Sequence, residues 1–174
     1  MTIKDIITVP DETLKKISEP IEKVGINETK LVNDLFETMY KSNGIGLAAV
    51  QVGILKRILV IDVSNKDKKN EPIAFINPVI KKVSEETSIY EEGCLSIPDT
   101  FIEIERPKIC EIEFIDIKGK IQNLECDGLL STCIQHEINH LDGKLIIDHL
   151  SKLKRDLIIK KISKLRKNPD RIIV

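Results

Sequence analysis

Residues 127–143, Asp-Gly-Leu-Leu-Ser-Thr-Cys-Ile-Gln-His-Glu-Ile-Asn-His-Leu-Asp-Gly, decide how this chain is read. The apolar positions Leu130, Cys133, Ile134, Ile138 and Leu141 recur at helical spacing, and Gly143 stands where a C-cap glycine ends a helix. On that helix His136 and His140 lie one turn apart. Both imidazoles then project from one face and can grip a single metal ion. Glu137 sits beside the first histidine and reaches the open side of such an ion, where it can take a proton from water. Two ligands and a general base thus fall within five positions.

Working outward, 27–41 reads as an amphipathic helix with Leu31, Leu35 and Met39 on one stripe, and Asn43-Gly44 ends it. Gly44-Ile45-Gly46 must then be a tight backbone passage. The run 57–63 (RILVIDV) is a strand rich in β-branched residues, and 73–83 and 88–92 suggest two more. Segments 101–105, 108–117 and 120–125 look like a meander, with Lys118-Gly119 as a turn. A third helix is expected over 150–167, with Leu150, Leu153, Leu157, Ile158, Ile162 and Leu165 on one stripe. Helices are segregated from strands, which argues for α+β and against a doubly wound α/β sheet.

The 174 residues suit a single domain, 41% hydrophobic and 32% charged, the balance of a soluble globular protein. Aromatics make up only 3%, so the core must rest on Ile, Leu and Val. The residues after Met1 form no apolar signal region, and no apolar run is long enough to span a bilayer; the expected location is the cytoplasm. In that compartment Cys94, Cys110, Cys126 and Cys133 are expected as thiols or metal ligands. Residues 150–174 carry nine Lys or Arg and two Asp, a charge of +7 that leaves −8 on the rest of the chain. A basic tail on an acidic body suggests a polyanionic partner.

The third metal ligand is not in the helix. A continued H-E-x-x-H-x-x-G-x-x-H pattern fails at Ile146, and no Glu follows Glu137. His149 lies just past the helix end and serves equally well as a surface or capping residue. Cys94, in Glu92-Gly93-Cys94-Leu95-Ser96, is the strongest candidate, since Cys/His/His leaves a fourth position open for water. A rival is a closed structural zinc site using Cys126 or Cys133. That site would give a metal-stabilised module docking on nucleic acid through its basic C-terminal helix, and it would leave Glu137 without a role.

Three segments together resemble one family. Gly44-Ile45-Gly46-Leu47-Ala48-Ala49-Val50-Gln51, Glu92-Gly93-Cys94-Leu95-Ser96 and Gln135-His136-Glu137-Ile138-Asn139-His140 are similar, in order and spacing, to the three motifs of the peptide deformylases. The resemblance covers essentially the whole chain. It implies antiparallel sheets around a central metal-binding helix. It also implies an Fe²⁺ enzyme that removes the formyl group from the N-terminal formyl-methionine of new polypeptides and releases formate; Zn²⁺, Ni²⁺ or Co²⁺ would also fit the donors. Carried onto this sequence, it makes Cys94, His136 and His140 the metal ligands and Glu137 the proton carrier. Gln51, through its side-chain amide, and Leu95, through its backbone N–H, become the oxyanion donors. Ile45, Gly46, Tyr90, Glu92, Leu129 and Cys133 are expected to line the pocket for the methionine side chain. One departure stands out: Asn139 occupies a position usually held by Asp, and Arg106 is a candidate partner for it. The basic tail resembles a helix by which bacterial deformylases dock on the ribosome.

Overall fold

The computed structural model describes residues 2–64 and 72–167, the side chains of 166 and 167 excepted. The apolar run 57–63 is continuous because its strand is covered on both sides. Strand β2 (Ile58–Ile61) buries all four residues. Ile58 and Val60 face helix α1 (Ile26–Lys41) with its Leu31, Val32, Leu35 and Met39. Leu59 and Ile61 face helix α2 (Gly128–Leu141) with its Cys133, Ile134, Ile138 and Leu141. Each Leu or Ile fully buried this way contributes roughly 1.5–3 kcal/mol.

Around β2 stand β1 (Gly46–Ala48), β3 (Ile73–Val83), β6 (Ile109–Ile115) and β7 (Ile121–Asp127), all antiparallel, in the order β1-β2-β3-β6-β7. Strands β4 (Thr87–Cys94) and β5 (Ile97–Pro107) form a separate two-stranded sheet. This is the expected α+β arrangement, with α2 packed against strands of both sheets.

Two expectations are corrected. The segment 101–105 does not run on into a meander with 108–117. Only Lys108 separates β5 from β6, and one residue is too short for a hairpin turn. The chain therefore crosses between sheets at Pro107, whose carbonyl accepts hydrogen bonds from Gln135 and Ser131 of α2.

The apolar stripe of helix α3 (Lys152–Lys167) is also rotated from the expected one. Leu150 precedes the helix in extended backbone, so it does not set the helical phase. Ile158, Ile159 and Ile162 pack with Leu145, Ile146 and Ile147, and with Ile97, Ile102 and Ile104 of β5, while Leu153 and Leu157 are exposed. Lys154, Lys161 and Lys164 are exposed as well. The end of the basic tail, 168–174, lies outside the described residues.

Candidate active site

Helix α2 buries an unusual share of polar side chains: Ser131, Thr132, Gln135, His136, Glu137 and His140. Buried polar groups need partners, and their partners define the site. His136 Nε2 and His140 Nε2 stand 3.2 Å apart. Cys94 arrives from the end of β4, where the pairing with β5 shifts register after Gly93, and its Sγ lies 3.2 Å from His140 Nε2. The three donor atoms lie within 4.8 Å of one another, a set able to hold a metal ion. A tetrahedral ion with nitrogen and sulfur ligands at roughly 2.0–2.3 Å spaces them by about 3.3–3.8 Å, so the two 3.2 Å contacts need only a slight opening.

The two histidines differ in their electrostatics. Burial works against charge on His136, yet its hydrogen bonds to Cys94 and Glu92 outweigh that and lift it to about 10. Burial, then the neighbouring His136, pushes His140 well below the ordinary histidine value, which leaves a neutral imidazole suited to ligation. His136 Nδ1 lies 2.8 Å from Glu92 Oε2. Glu92 is gripped in turn by Arg106, at 2.5 Å from Nε and 3.0 Å from Nη2. Burial opposes ionisation of Glu92, but the hydrogen bonds from His136 and Arg106 keep it below the usual carboxylate range. A carboxylate on the outer nitrogen of a ligating histidine fixes its ring and tautomer.

Glu137 is fully enclosed. Burial is the main cause that raises its carboxyl to about 7, near the value wanted of a general base at neutral pH. Its Oε2 is buried without a hydrogen-bond partner among the described residues, an acceptor left for a ligand. Its other oxygen lies against Gly46. A Cβ at residue 46 would fall 2.5 Å from Glu137 Oε1 and 2.8 Å from Cys133 Sγ. That is the tight passage expected around Gly44-Ile45-Gly46.

Gln51 lies in a short 3-10 turn over Ala49–Val52. Its side-chain oxygen accepts from the Ala48 N–H at 2.8 Å, so its NH₂ is directed to Ser96 Oγ at 3.2 Å and Cys94 Sγ at 3.7 Å. The N-terminal segment ties the same residues down, because Ile7 N–H donates to the Gln51 carbonyl and Val9 N–H to that of Ser96.

A cavity of about 440 Å³ opens over these groups. Ile45, Gly46, Tyr90, Glu92, Leu129 and Cys133 all line it, as do Gln51, Leu95 and Glu137. Glu92 does so with its carboxylate already engaged by Arg106 and His136. Sequence reasoning missed Ser96, although it ends the second motif, and Phe101 and Thr132, which carry no local signal. His149 is exposed and does not join the donor set. Cys110 and Cys126 face each other across β6 and β7 inside the core, and Cys133 Sγ contacts the Ile45 carbonyl instead.

Comparison with known proteins agrees. The family model described as polypeptide deformylase matches residues 3–156. A peptide deformylase of Pelagibacter ubique (strain HTCC1062) is 56% identical over 174 residues, 100% of both chains. The chain belongs to the polypeptide deformylase family. The crystal structure of the peptide deformylase from Ehrlichia chaffeensis superposes with a TM-score of 0.92 at 42% identity, over 97% of this chain and 99% of that one. A structure of peptide deformylase from the same organism in complex with actinonin gives 0.90 at 43% identity, over 94% and 98%. The activity is accordingly that of a deformylase, a hydrolase that removes the N-formyl group from newly synthesised polypeptides with the aid of a divalent metal. The rival reading, a closed zinc site with no work for Glu137, is set aside by this deformylase membership and by the donor set.

Proposed function

We propose that Cys94, His136 and His140 hold one divalent ion, Fe²⁺, in a single catalytic domain spanning 1–174, with 150–174 as its basic appendage. The observation that carries the reading is the meeting of these three donor atoms beside the buried, unpartnered Oε2 of Glu137. The donors mix a soft thiolate with two imidazoles, a set that suits iron and zinc alike. Iron is the metal implied by the family resemblance.

When bound, the cation supplies Lewis acidity toward water and the formyl oxygen. The remaining work falls to the chain. Glu137 accepts the proton of the attacking water and delivers it to the departing methionine amine. The Gln51 NH₂ and the Leu95 N–H donate to the oxyanion as the formyl carbon becomes tetrahedral. Ile45, Leu129 and Cys133 offer the methionine side chain an apolar wall, and Glu92, held by Arg106, keeps His136 in one orientation.

No helix among the described residues is long and apolar enough to cross a membrane. We place the enzyme in the cytoplasm, acting on formyl-methionyl nascent chains and docked on the ribosome through the exposed lysines of α3. The decisive experiment is Glu137→Ala. Metal content should be retained while turnover of a formyl-Met peptide falls by about 10²–10⁴-fold. A variant that keeps near-normal turnover would overturn the assigned role.

A further inference from the structure

The chain has only four Phe and two Tyr, and their placement is informative. Phe75 and Phe114 pack at a tilt in the core, and Phe36 stacks on Tyr40. Phe101 alone among the phenylalanines is widely exposed, at 67%. It lies on the rim of the active-site cavity, paired in register with Gly93 immediately before Cys94. One edge of the ring lies so close to that glycine that a Cβ at residue 93 would meet Phe101 Cε1 at 2.8 Å. Ile45 and Leu129, also partly exposed, line the same cavity. An exposed apolar rim continuous with a reaction site marks a surface meant for ligand, whereas a solitary exposed side chain would need no explanation.

The charge around the ring has one sign. Glu91, one pair further along the same face of the β4–β5 ribbon, and Asp99, in the bulge before Phe101, also line the cavity. Both are exposed, and neither has an ion-pair partner among the described residues. Glu91 stands directly opposite Glu103, a pairing that disfavours the ribbon on its own. Among the described residues no Lys or Arg lines the cavity. With the formyl group at Glu137 and the methionine side chain among Ile45, Leu129 and Cys133, the rest of the peptide must leave across this rim.

We propose that Phe101 is a specificity-determining residue for deformylation: it receives the side chain of the residue that follows formyl-methionine, and between Glu91 and Asp99 it favours Lys or Arg there over Asp or Glu. A cation over an aromatic face, flanked by carboxylates, is held by the ring quadrupole and the negative field together. The inference rests on the deformylase reading and adds to it the substrate class that the site prefers.

The test is the ratio of kcat/KM for formyl-Met-Lys-Ser over formyl-Met-Glu-Ser, with formyl-Met-Ala-Ser as reference, at low and high salt. The metal-loaded wild type should prefer the Lys peptide by about three- to tenfold at low salt, and less at high salt. Phe101→Ala should reduce that ratio by about two- to fivefold, the range expected of an exposed cation–π contact. Phe101→Tyr should preserve it, and Phe101→Leu, which keeps apolar bulk over Gly93, should not. A ratio near one in the wild type, or an equal ratio in wild type and Phe101→Ala, would overturn the inference and leave the deformylase reading intact. Failure of the wild type to hydrolyse any of the three peptides would overturn both.

Discussion

Arg106 donates through Nη1 to Oδ1 of Asn139 at 2.8 Å. The family position usually held by Asp thus keeps its acceptor and loses only its charge. Arg106 is charge-compensated already, because Glu92 takes its Nε and Nη2. Removal of the two partners should therefore cost differently. Asn139→Ala leaves one buried donor without an acceptor, about 1–3 kcal/mol. Arg106→Ala leaves the buried Glu92 carboxylate with His136 as its one remaining partner and without a compensating cation, about 3–5 kcal/mol. It also loosens the support of His136, so metal affinity should fall about 10–100-fold. Urea unfolding and chelator competition on the loaded enzyme measure the two effects. If Asn139→Ala proved the more damaging variant in both, the network would have been misread.

Gly46→Ala is a test of the close approach to Glu137. The added methyl would collide with the carboxylate and with Cys133 Sγ, and both side chains are buried, which leaves them little room to move aside. A misplacement of about 1 Å in a proton carrier can lower the rate by about 10²-fold. The expected result is a large loss of kcat with metal content unchanged, since no ligand atom is touched. Full activity would show that Glu137 need not sit where it does.

Asp34 supplies a pH test away from the metal. Burial opposes its ionisation, but the Thr2 N–H at 2.8 Å and the ammonium groups of Lys30 and Lys4 prevail, so its carboxyl lies below the ordinary value. A group depressed on folding stabilises above its unfolded pKa, and that stabilisation is lost as pH falls through the folded value. Asp34→Asn should therefore be less stable than wild type at neutral pH. The gap should close below about pH 4, where the unfolded carboxyl begins to protonate. Urea midpoints measured from pH 7 to pH 3 check this, and a gap independent of pH would count against it.

Charge reversal on α3 separates docking from stability. Lys154, Lys161 and Lys164 are exposed, so changing all three to Glu leaves the buried Ile162 and the partly buried Ile158 and Ile159 in place. Hydrolysis of a short formyl-Met peptide should persist, while co-sedimentation with ribosomes should weaken and become less dependent on salt. Equal binding by both proteins at every salt concentration would mean that the basic face is only solvated.

What could be read without the structure was what is local. The spacing of Leu130, Cys133, Ile134 and Ile138 defines a helix and its buried face by a period that needs no partner. The same period places His136 and His140 together with Glu137 beside them, so the chemistry was legible in one segment. The run 57–63 was legible as a strand from its β-branched residues, while its cover on both faces came from the packing of α1 and α2.

Tertiary structure decided whatever depended on long-range contact. Sequence spacing left Cys94, Cys126, Cys133 and His149 open as the third ligand; the bulge after Gly93 turns Cys94 toward His140, while the β6–β7 register sends Cys126 into the core opposite Cys110. Pairing of β5 with β4, and of β6 with β3, follows from which edges meet, and no local pattern records it. The phase of α3 shifted for the same reason: Leu153 and Leu157 fit one stripe with Ile158 and Ile162 on paper, but the body of the protein offers its apolar surface to Ile158, Ile159 and Ile162, with Leu150 packed beside them ahead of the helix, and leaves Leu153 and Leu157 exposed. Periodicity reports what a helix can bury, and only the shape of the neighbouring surface selects what it does bury.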